Sequence, residues 1–283
     1  MKIEKRSRTV EAPVETRLCE LRAACVAQGL WPGPLVDLSP ETTLGAALLA
    51  RADRRSVRYG ELWDRVLALE AELPGERLLR TRAAPRAATG PDLTRTILEA
   101  RGRLGSVRVA WLRLWAVPGE RGLLQLEGSL AVLISGTARV LRAGVRPAEV
   151  DLQGGRQGGR LLLAFEGDPA LVAAEMGVAR RVLEKAGLAP AAVAEAQKVP
   201  AVSALLETIP VEGAWSELPA LAARALERLD ATETAPARLV WLTHEAAGLK
   251  FPAPRGSTPE PRERTRADEI KAEIALALVR RCA

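Results

Sequence analysis

Gly102 and Gly105 stand between a helical pattern and a strand-like run, where their type and spacing could serve chemistry. A residue without a Cβ lets the backbone bend sharply or approach a ligand closely. Asp92 is placed to cap the preceding helix, because its carboxylate can accept the free N–H groups of the first turn. The run from Val107 to Pro118 is almost wholly apolar and suits a strand. Such a turn can present backbone N–H groups to a cofactor, although plain turn chemistry gives the same pattern.

Few side chains are candidates for acid–base or binding chemistry. His244 is the single histidine, and it could act as a base, but one imidazole cannot make a metal site. A buried or half-buried histidine at a strand end is the favoured alternative. Tyr59 could line a cofactor pocket or pack in a turn. Arg108 and Arg113 could anchor a substrate carboxylate, or could mark the solvent face of a strand.

Composition narrows the class of protein. The chain has 283 residues and a net charge of +6, with 41 basic residues interleaved among 35 acidic ones. A nucleic-acid-binding protein needs a patch of one sign, so this weaker alternative rests only on the pI and predicts strongly salt-dependent binding. The cysteines (Cys19, Cys25 and Cys282) lack metal-site spacing, which indicates a reduced, cytoplasmic protein. The sequence shows no signal peptide and no apolar run of membrane length, so no membrane association is expected.

The first half of the chain is organised by helical and strand periods. Residues 1–13 are charged and predicted to be disordered. Residues 14–30 carry apolar side chains at helical spacing and predict an amphipathic helix. Residues 66–73 suit a buried strand, and Pro74-Gly75 suits the hairpin turn that follows. Residues 90–118 predict a helix, the glycine turn and a long strand.

The second half alternates strands and helices. The pattern predicts a strand near 122–126, a helix over 128–143 and a strand over 146–152, followed by a strand, a turn and a helix up to Leu188. This order predicts a ferredoxin-like split βαβ unit. Residues 189–208 are Ala-rich and predicted to be helical. A strand, turn and strand follow up to Phe251, then a Pro-rich linker and a helix over 263–282.

Several strings in this order resemble the FAD-linked oxidases of the vanillyl-alcohol oxidase and glycolate oxidase type. The most specific string matches at Arg58, Tyr59, Gly60, Asp64, Val66, Leu67, Leu69, Glu70, Leu73, Pro74, Gly75 and Arg80. The run from Thr43 to Gly45 resembles the start of the segment that follows the pyrophosphate and the flavin in that family. Phe165, Glu166 and Gly167 fit the family's cap.

The resemblance implies an α+β fold, with a partial FAD-binding (PCMH-type) α+β subdomain over residues 14–118. A ferredoxin-like cap domain with an antiparallel sheet would follow over 119–251, and a linker with a C-terminal helix over 252–283. The residues that it implies for cofactor binding are Thr43, Leu44, Gly45, Tyr59, Gly60, Gly102, Gly105 and Val107. His244 would be the histidine on the cap's side of the active site.

This sequence also departs from the family pattern. Ala46 stands where a second glycine is usual, and Arg51 to Asp53 replace small and amide residues. We find neither the family's P-x-G-G-G-T loop, whose N–H groups hold the FAD pyrophosphate, nor its C-terminal histidine-rich segment. FAD binding is therefore expected to be weak or lost.

Two functions remain open. The favoured one is a degenerate homologue that serves as an accessory or structural subunit of a flavin-dependent 2-hydroxyacid oxidoreductase. Its partner would be the catalytic flavin subunit or a second copy of the chain. The alternative is a working FAD-dependent oxidoreductase of a small 2-hydroxy acid such as glycolate or lactate.

Overall fold

The computed structural model describes residues 1–34, 39–50, 56–82, 92–155, 158–192, 208–214, 216–227, 237–242 and 246–252. The chain divides into two units. Unit 1 comprises the described parts of Met1–Ala52 and Glu61–Val117, and unit 2 comprises those of Asp53–Gly60 and Pro118–Thr258. Both units combine helices with antiparallel sheets, so the predicted α+β class is confirmed.

Unit 1 is built on a five-stranded antiparallel sheet with the strand order β1-β2-β6-β4-β5. The two short strands β3 and β7 pair separately. Its elements are β1 (Lys2–Glu4), β2 (Thr9–Pro13), α1 (Leu18–Val26), β3 (Leu30–Trp31), α2 (Leu44–Ala50), α3 (Leu62–Arg65), β4 (Val66–Leu73), β5 (Arg77–Arg80), α4 (Leu93–Ala100), β6 (Ser106–Arg113) and β7 (Trp115–Ala116). One sheet face packs against α1, α2 and α4 to form the core.

The N-terminus differs from its prediction. Residues 1–13 were expected to be disordered, but they form β1 and β2, and β2 pairs with β6 along its whole length. Alternation along β2 explains this, because Val10 and Ala12 point into the core and are fully buried. The charged residues around them mask this pattern in a composition-based prediction.

Two other elements of unit 1 are shorter than predicted. The helix expected over 14–30 covers only Leu18–Val26, because Val14 donates its N–H to Arg108 O and so continues the sheet. The strand expected up to Pro118 ends at Arg113, and the chain then pairs with β3 instead. The predicted cap of α4 is confirmed, since Asp92 Oδ1 accepts the N–H of Arg95 at 2.9 Å.

Unit 2 is built on a seven-stranded sheet with the order β11-β8-β10-β9-β13-β14-β12. Its elements are β8 (Glu120–Gly128), α5 (Leu130–Arg142), β9 (Glu149–Gly155), β10 (Gly158–Gly167), α6 (Pro169–Glu184), β11 (Ala191–Ala192), β12 (Thr208–Ala214), α7 (Leu218–Glu227), β13 (Ala237–Leu242) and β14 (Ala246–Pro252). The elements from β8 to β11 follow the order β-α-β-β-α-β, and the other strands extend this sheet beyond β9.

Helices α5 and α6 cover one face of the sheet of unit 2. Leu161, Leu163 and Phe165 of β10 point to these helices and are fully buried. Asp168 caps α6, because its carboxylate accepts the N–H of Ala170. The start of the helix predicted over 189–208 is instead a strand, since Ala191 and Ala192 pair with β8. The rest of that segment, the Pro-rich linker and the predicted helix over 263–282 lie outside the described residues.

None of the helices in the described ranges is both long enough and apolar enough to cross a bilayer.

The two described cysteines differ in environment, and this difference gives a first prediction. Burial raises the pKa of the Cys25 thiol from its ordinary value of 9.0 to about 11, whereas Cys19 is half-buried beside Glu41. We expect iodoacetamide at mildly alkaline pH to alkylate Cys19 in the native protein and to reach Cys25 only after unfolding, as peptide mapping would show.

The same thiol links stability to pH. Its folded-state pKa is raised, so its contribution to the free energy of unfolding is complete below pH 9.0 and is lost as the pH rises towards 11. We expect a loss of about 2 kcal/mol across this window in the wild-type protein. The variant Cys25→Ala serves as the control, and an equally steep pH dependence in that variant would contradict the assignment.

Candidate functional site

The run from Thr43 to Gly45 forms backbone hydrogen bonds with the segment from Val14 to Arg17. Leu44 donates its N–H to Thr16 O at 2.8 Å, and Gly45 donates its N–H to Val14 O at 2.8 Å. Thr43 forms an antiparallel bridge with Arg17. We call this set of contacts the Thr43–Gly45 ladder. Because each N–H group donates within the protein, these two donors are already used.

Packing accounts for the glycine at position 45. A Cβ on Gly45 would lie 3.0 Å from Val14 Cβ and 3.3 Å from Val14 O. These distances are shorter than ordinary van der Waals contact, so a larger residue would push the β2–α1 connection away. The neighbouring Leu44 is fully buried in the core of unit 1. The ladder therefore serves the architecture of unit 1.

The glycines after α4 have two different structural roles. Gly105 lies against β4, because a Cβ there would come within 2.3 Å of Glu72 O. Gly102 follows Arg101 in a left-handed turn with φ +82, and a Cβ there would meet nothing within 4 Å. Val107 is half-buried and packs against the core of unit 1. Neither glycine needs a ligand to explain it.

Tyr59 and Gly60 belong to unit 2. Tyr59 is buried, donates its N–H to Ser56 Oγ at 3.0 Å, and places its hydroxyl 3.4 Å from Glu166 Oε2. Gly60 follows with φ +73 and turns the chain. The remaining predicted site residue, His244, lies outside the described residues. The cofactor-binding and catalytic roles of these residues stay predictions.

The structure reveals a second group of candidates on the sheet face of unit 2 that points away from α5 and α6. We call it the polar face. It carries Arg121, Gln125 and Glu127 of β8, Glu149, Asp151 and Gln153 of β9, and Arg160 and Glu166 of β10. The register places Arg160 opposite both Glu127 and Gln153, and Glu166 opposite Arg121. Acidic, basic and amide side chains thus share one face.

Asp151 and Gln153 lie at the centre of the polar face. They are only 8% and 6% exposed, and Gln153 Nε2 donates to Asp151 Oδ2 at 2.8 Å. Burying a carboxylate is costly unless hydrogen bonds compensate it, so a buried polar pair on a sheet face needs an explanation. The same face also carries a small buried apolar cluster, formed by Leu123, Leu162 and Ala164.

Glu166 is held at the other end of the polar face. It is 4% exposed, and Arg121 Nε lies 3.4 Å from its Oε1. Arg121 Nη2 also contacts Glu149 Oε2 at 2.9 Å, so one guanidinium serves two carboxylates. With the hydroxyl of Tyr59, these contacts fix the carboxylate of Glu166 within the sheet.

Arg58 anchors the segment that carries Tyr59. Its Nη2 pairs with Glu175 of α6, its Nε donates to Arg146 O at 3.2 Å, and its backbone N–H donates to Pro147 O at 3.2 Å. Both members of the ion pair are largely shielded from solvent. Arg58 therefore fixes the turn that brings Tyr59 to Glu166.

The polar face could orient a small polar ligand through carboxylate, amide and guanidinium groups. Within the described residues, no group of histidine, cysteine and acidic side chains could hold a metal ion. The arginines proposed as carboxylate anchors lie elsewhere: Arg113 is exposed, and Arg108 pairs with Glu72 on the surface of unit 1. Asp151 and Gln153 were missed, although the alternation of polar and apolar residues over Glu149–Gln153 was a signal for them.

Comparisons with known proteins find partial matches to D-lactate dehydrogenases. No family model matches. A probable mitochondrial D-lactate dehydrogenase of Danio rerio is 30% identical over 128 residues, which are 44% of this chain and 26% of that protein. The mitochondrial D-lactate dehydrogenase [cytochrome] of Arabidopsis thaliana is 34% identical over 85 residues, which are 29% of this chain and 15% of that protein.

The search of solved structures finds proteins with a similar fold. Alkyldihydroxyacetonephosphate synthase in crystal form P1 gives a TM-score of 0.73 at 16% identity. The match covers 96% of this chain and 62% of the synthase chain. The P212121 form gives 0.71 at 13% identity, with coverage of 98% and 59%. The resemblance to the FAD-linked oxidases is confirmed. At this identity the structures show the fold, which is that of FAD-binding PCMH-type proteins. The chain spans at most about a quarter of the curated relatives it matches.

The residues at the Thr43–Gly45 ladder do not fit the pyrophosphate of FAD. A phosphate needs backbone N–H groups that point towards it, but those of Leu44 and Gly45 already donate to Thr16 and Val14. The side chain of Thr43 accepts the N–H of Ala46 at 3.3 Å. This run therefore offers a flavin no phosphate-binding donor from Leu44 or Gly45.

Gly105 and Gly102 both have positive φ values, of +150 and +82, so both alanine variants carry a backbone cost and only the one at Gly105 adds a steric overlap. We expect Gly105→Ala to lower the free energy of unfolding by about 3 kcal/mol, because its Cβ would overlap the backbone of β4. Gly102→Ala has open space and should lose only about 1 kcal/mol from its left-handed conformation. Urea unfolding followed by circular dichroism gives both values, and equal losses would contradict the packing explanation of Gly105.

The Arg58–Glu175 pair allows a double-mutant cycle. We expect Arg58→Met and Glu175→Gln to show a coupling of about 1 to 2 kcal/mol in unfolding free energy, since water screens this pair little. The matched control is the exposed pair Arg17–Glu41, for which the same substitutions should couple by less than about 0.5 kcal/mol. Equal coupling in the two cycles would show that Arg58 does not anchor its segment.

Proposed function

We propose that the chain is a degenerate homologue of the FAD-linked oxidases and acts as an accessory or structural subunit of a flavin-dependent 2-hydroxyacid oxidoreductase. The observation that carries this proposal is the Thr43–Gly45 ladder. In the family that the sequence resembles, the corresponding run follows the pyrophosphate and the flavin. Here the N–H groups of Leu44 and Gly45 donate to the backbone carbonyls of Thr16 and Val14.

The sequence around the ladder supports the same proposal. Ala46 replaces a glycine, and Arg51 introduces a long charged side chain where the family has a small one. Larger side chains restrict how closely a backbone can approach a ligand. A catalytic flavin subunit would then supply the redox cofactor, because the cofactor carries the oxidation chemistry.

We further propose that unit 2 is the ferredoxin-like cap of this homologue. The β-α-β-β-α-β order from β8 to β11 and the strand order β11-β8-β10-β9 support this assignment. In the complex, the polar face would point towards the bound substrate, a small 2-hydroxy acid. The names of the curated relatives support this class, because D-lactate is a 2-hydroxy acid.

One observation favours the alternative, a working FAD-dependent oxidoreductase of a small 2-hydroxy acid. The polar face buries Asp151, Gln153 and Glu166, and burying a carboxylate costs free energy unless hydrogen bonds or ion pairs compensate it. Under this alternative, other residues would hold FAD, and the polar face would orient the substrate in the same chain.

The deciding experiment is the visible absorption spectrum of the purified full chain, before and after incubation with excess FAD and gel filtration. We expect no stoichiometric flavin in either sample, because Leu44 and Gly45 have no free N–H to donate. A known flavoprotein, stripped of FAD and reloaded by the same procedure, serves as the control. A stoichiometric flavin spectrum that D-lactate or glycolate bleaches would overturn the accessory role and establish the alternative.

A further inference from the structure

The strand β5 forms one edge of the sheet of unit 1, and within the described residues no strand pairs with its outer side. Its register with β4 identifies which backbone groups face outward. Thr81 donates its N–H to Leu69 O, so Leu79, two positions earlier, also shares ladder hydrogen bonds with β4. The N–H and C=O groups of Leu78 and Arg80 therefore point away from the sheet, where another strand can use them.

The side chains of β5 alternate between the two faces of this sheet. Leu79 is half-buried and packs against the core of unit 1. Leu78 and Arg80 lie on the other face, where the guanidinium carbon of Arg80 is 4.8 Å from the centre of the Trp111 ring. Leu78 is 64% exposed, the highest value among the large apolar residues described as exposed. A strand added to this edge would cover Leu78.

Charges of both signs surround Leu78. On β4, Glu72 stands opposite Leu78, and Glu70 stands opposite Arg80. Glu76, the turn residue directly before β5, is exposed at the same edge. In the part of the chain that the structure describes, neither Arg80 nor Glu76 belongs to an ion pair. The edge thus offers one cation and one anion, so a strand that carries both charges matches it better than a strand of one sign.

A second copy of the chain carries such a strand, since two β5 strands can pair antiparallel about a twofold axis. An axis at Arg77 or at Arg80 would set an arginine opposite its own copy, and like charges so placed destabilise a sheet. An axis at Leu79 would set Arg80 opposite Leu78, so the guanidinium would face no carboxylate there. An axis at Leu78 sets the two exposed leucines opposite each other and Arg80 beside Glu76 of the second copy.

We propose that β5 is a self-association edge, and that two copies of the chain join their unit 1 sheets through antiparallel β5 strands with the axis at Leu78. Each Leu78 then donates its N–H to the C=O of the other. Arg80 lies between Glu70 of its own chain and Glu76 of the second copy, and cross-strand pairs of opposite charge stabilise a sheet. Because a twofold contact uses the same edge of both copies, it closes at a dimer.

The paired segment is short, because β5 has only four residues. An interface of this size is smaller than that of a permanent dimer, so we expect a reversible dimer that forms at high protein concentration and dissociates on dilution. This inference does not rest on the accessory role, since an accessory subunit and a working oxidoreductase could pair in the same way. The absorption spectrum with FAD decides that role separately.

Sedimentation velocity of the full chain over a series of concentrations measures the dissociation constant of the dimer. We expect Leu78→Lys to raise this constant by about tenfold or more, because two lysines would face each other at the axis. The urea midpoint should stay unchanged, since Leu78 is exposed. The matched control is Leu49→Lys, because Leu49 is also exposed, at 52%, but belongs to α2. This control should dimerise as wild type does.

Two further variants test the register through charge. Glu76→Arg places an arginine beside Arg80 of the second copy, and Arg80→Glu places a glutamate beside Glu76, so each variant alone should dimerise more weakly than wild type. An equimolar mixture restores both pairs of opposite charge. With a different dye on each variant, sedimentation should show heterodimers that are tighter than either homodimer.

Three results would overturn the proposal. A wild-type chain that stays monomeric at its highest soluble concentration would leave the edge to solvent or to a different protein. A dimer that Leu78→Lys leaves intact would assign the contact to another surface. A mixture of Glu76→Arg and Arg80→Glu that associates no more tightly than the separate variants would reject the register with its axis at Leu78.

Discussion

A backbone N–H group that donates within the protein is not free to donate to a ligand, and in unit 1 this constraint applies to Leu44 and Gly45. Buried backbone donors are almost always paired. The β2–α1 connection supplies the acceptors at Val14 and Thr16, and the Thr43–Gly45 ladder supplies the donors. Val14 in turn donates to Arg108 of β6, so the ladder is continuous with the main sheet. Freeing Gly45 for a ligand would mean detaching it from this network.

In unit 2 the sheet face that packs on the helices is apolar, whereas the opposite face combines polar side chains with the buried apolar residues Leu123, Leu162 and Ala164. The helices satisfy the apolar face, and the residues of β9 alternate between Val150 or Leu152 on that side and Asp151 or Gln153 on the other. This alternation is the signature of a sheet whose two faces meet different surroundings. The buried carboxylates make polar contacts of 2.8 to 3.4 Å, from Gln153 to Asp151 and from Arg121 and Tyr59 to Glu166. These contacts fix the positions of the Asp151 and Glu166 carboxylates on the polar face.

Local periodicity predicted much of the fold. The strand over 66–73 and its hairpin turn match β4 and the turn before β5, and the order of strands and helices after Pro118 matches β8 to α6. These segments have strong patterns of their own. The prediction of disorder for residues 1–13 was wrong, because the two buried residues of β2 form too short a pattern to stand out among the charged residues around them. The contact between Tyr59 and Glu166 was not predicted, because these residues lie 107 positions apart in the sequence and no local pattern reports such a contact.

Motif glycines illustrate why a resemblance and a function can separate. Gly45 and Gly105 match positions in the strings that resemble the FAD-linked oxidases, yet packing within unit 1 accounts for a glycine at each position. A Cβ at Gly105 would collide with β4, and a Cβ at Gly45 would displace the β2–α1 connection. Packing alone is therefore a sufficient reason for a glycine at these positions, and their match to the family pattern does not by itself indicate a bound flavin.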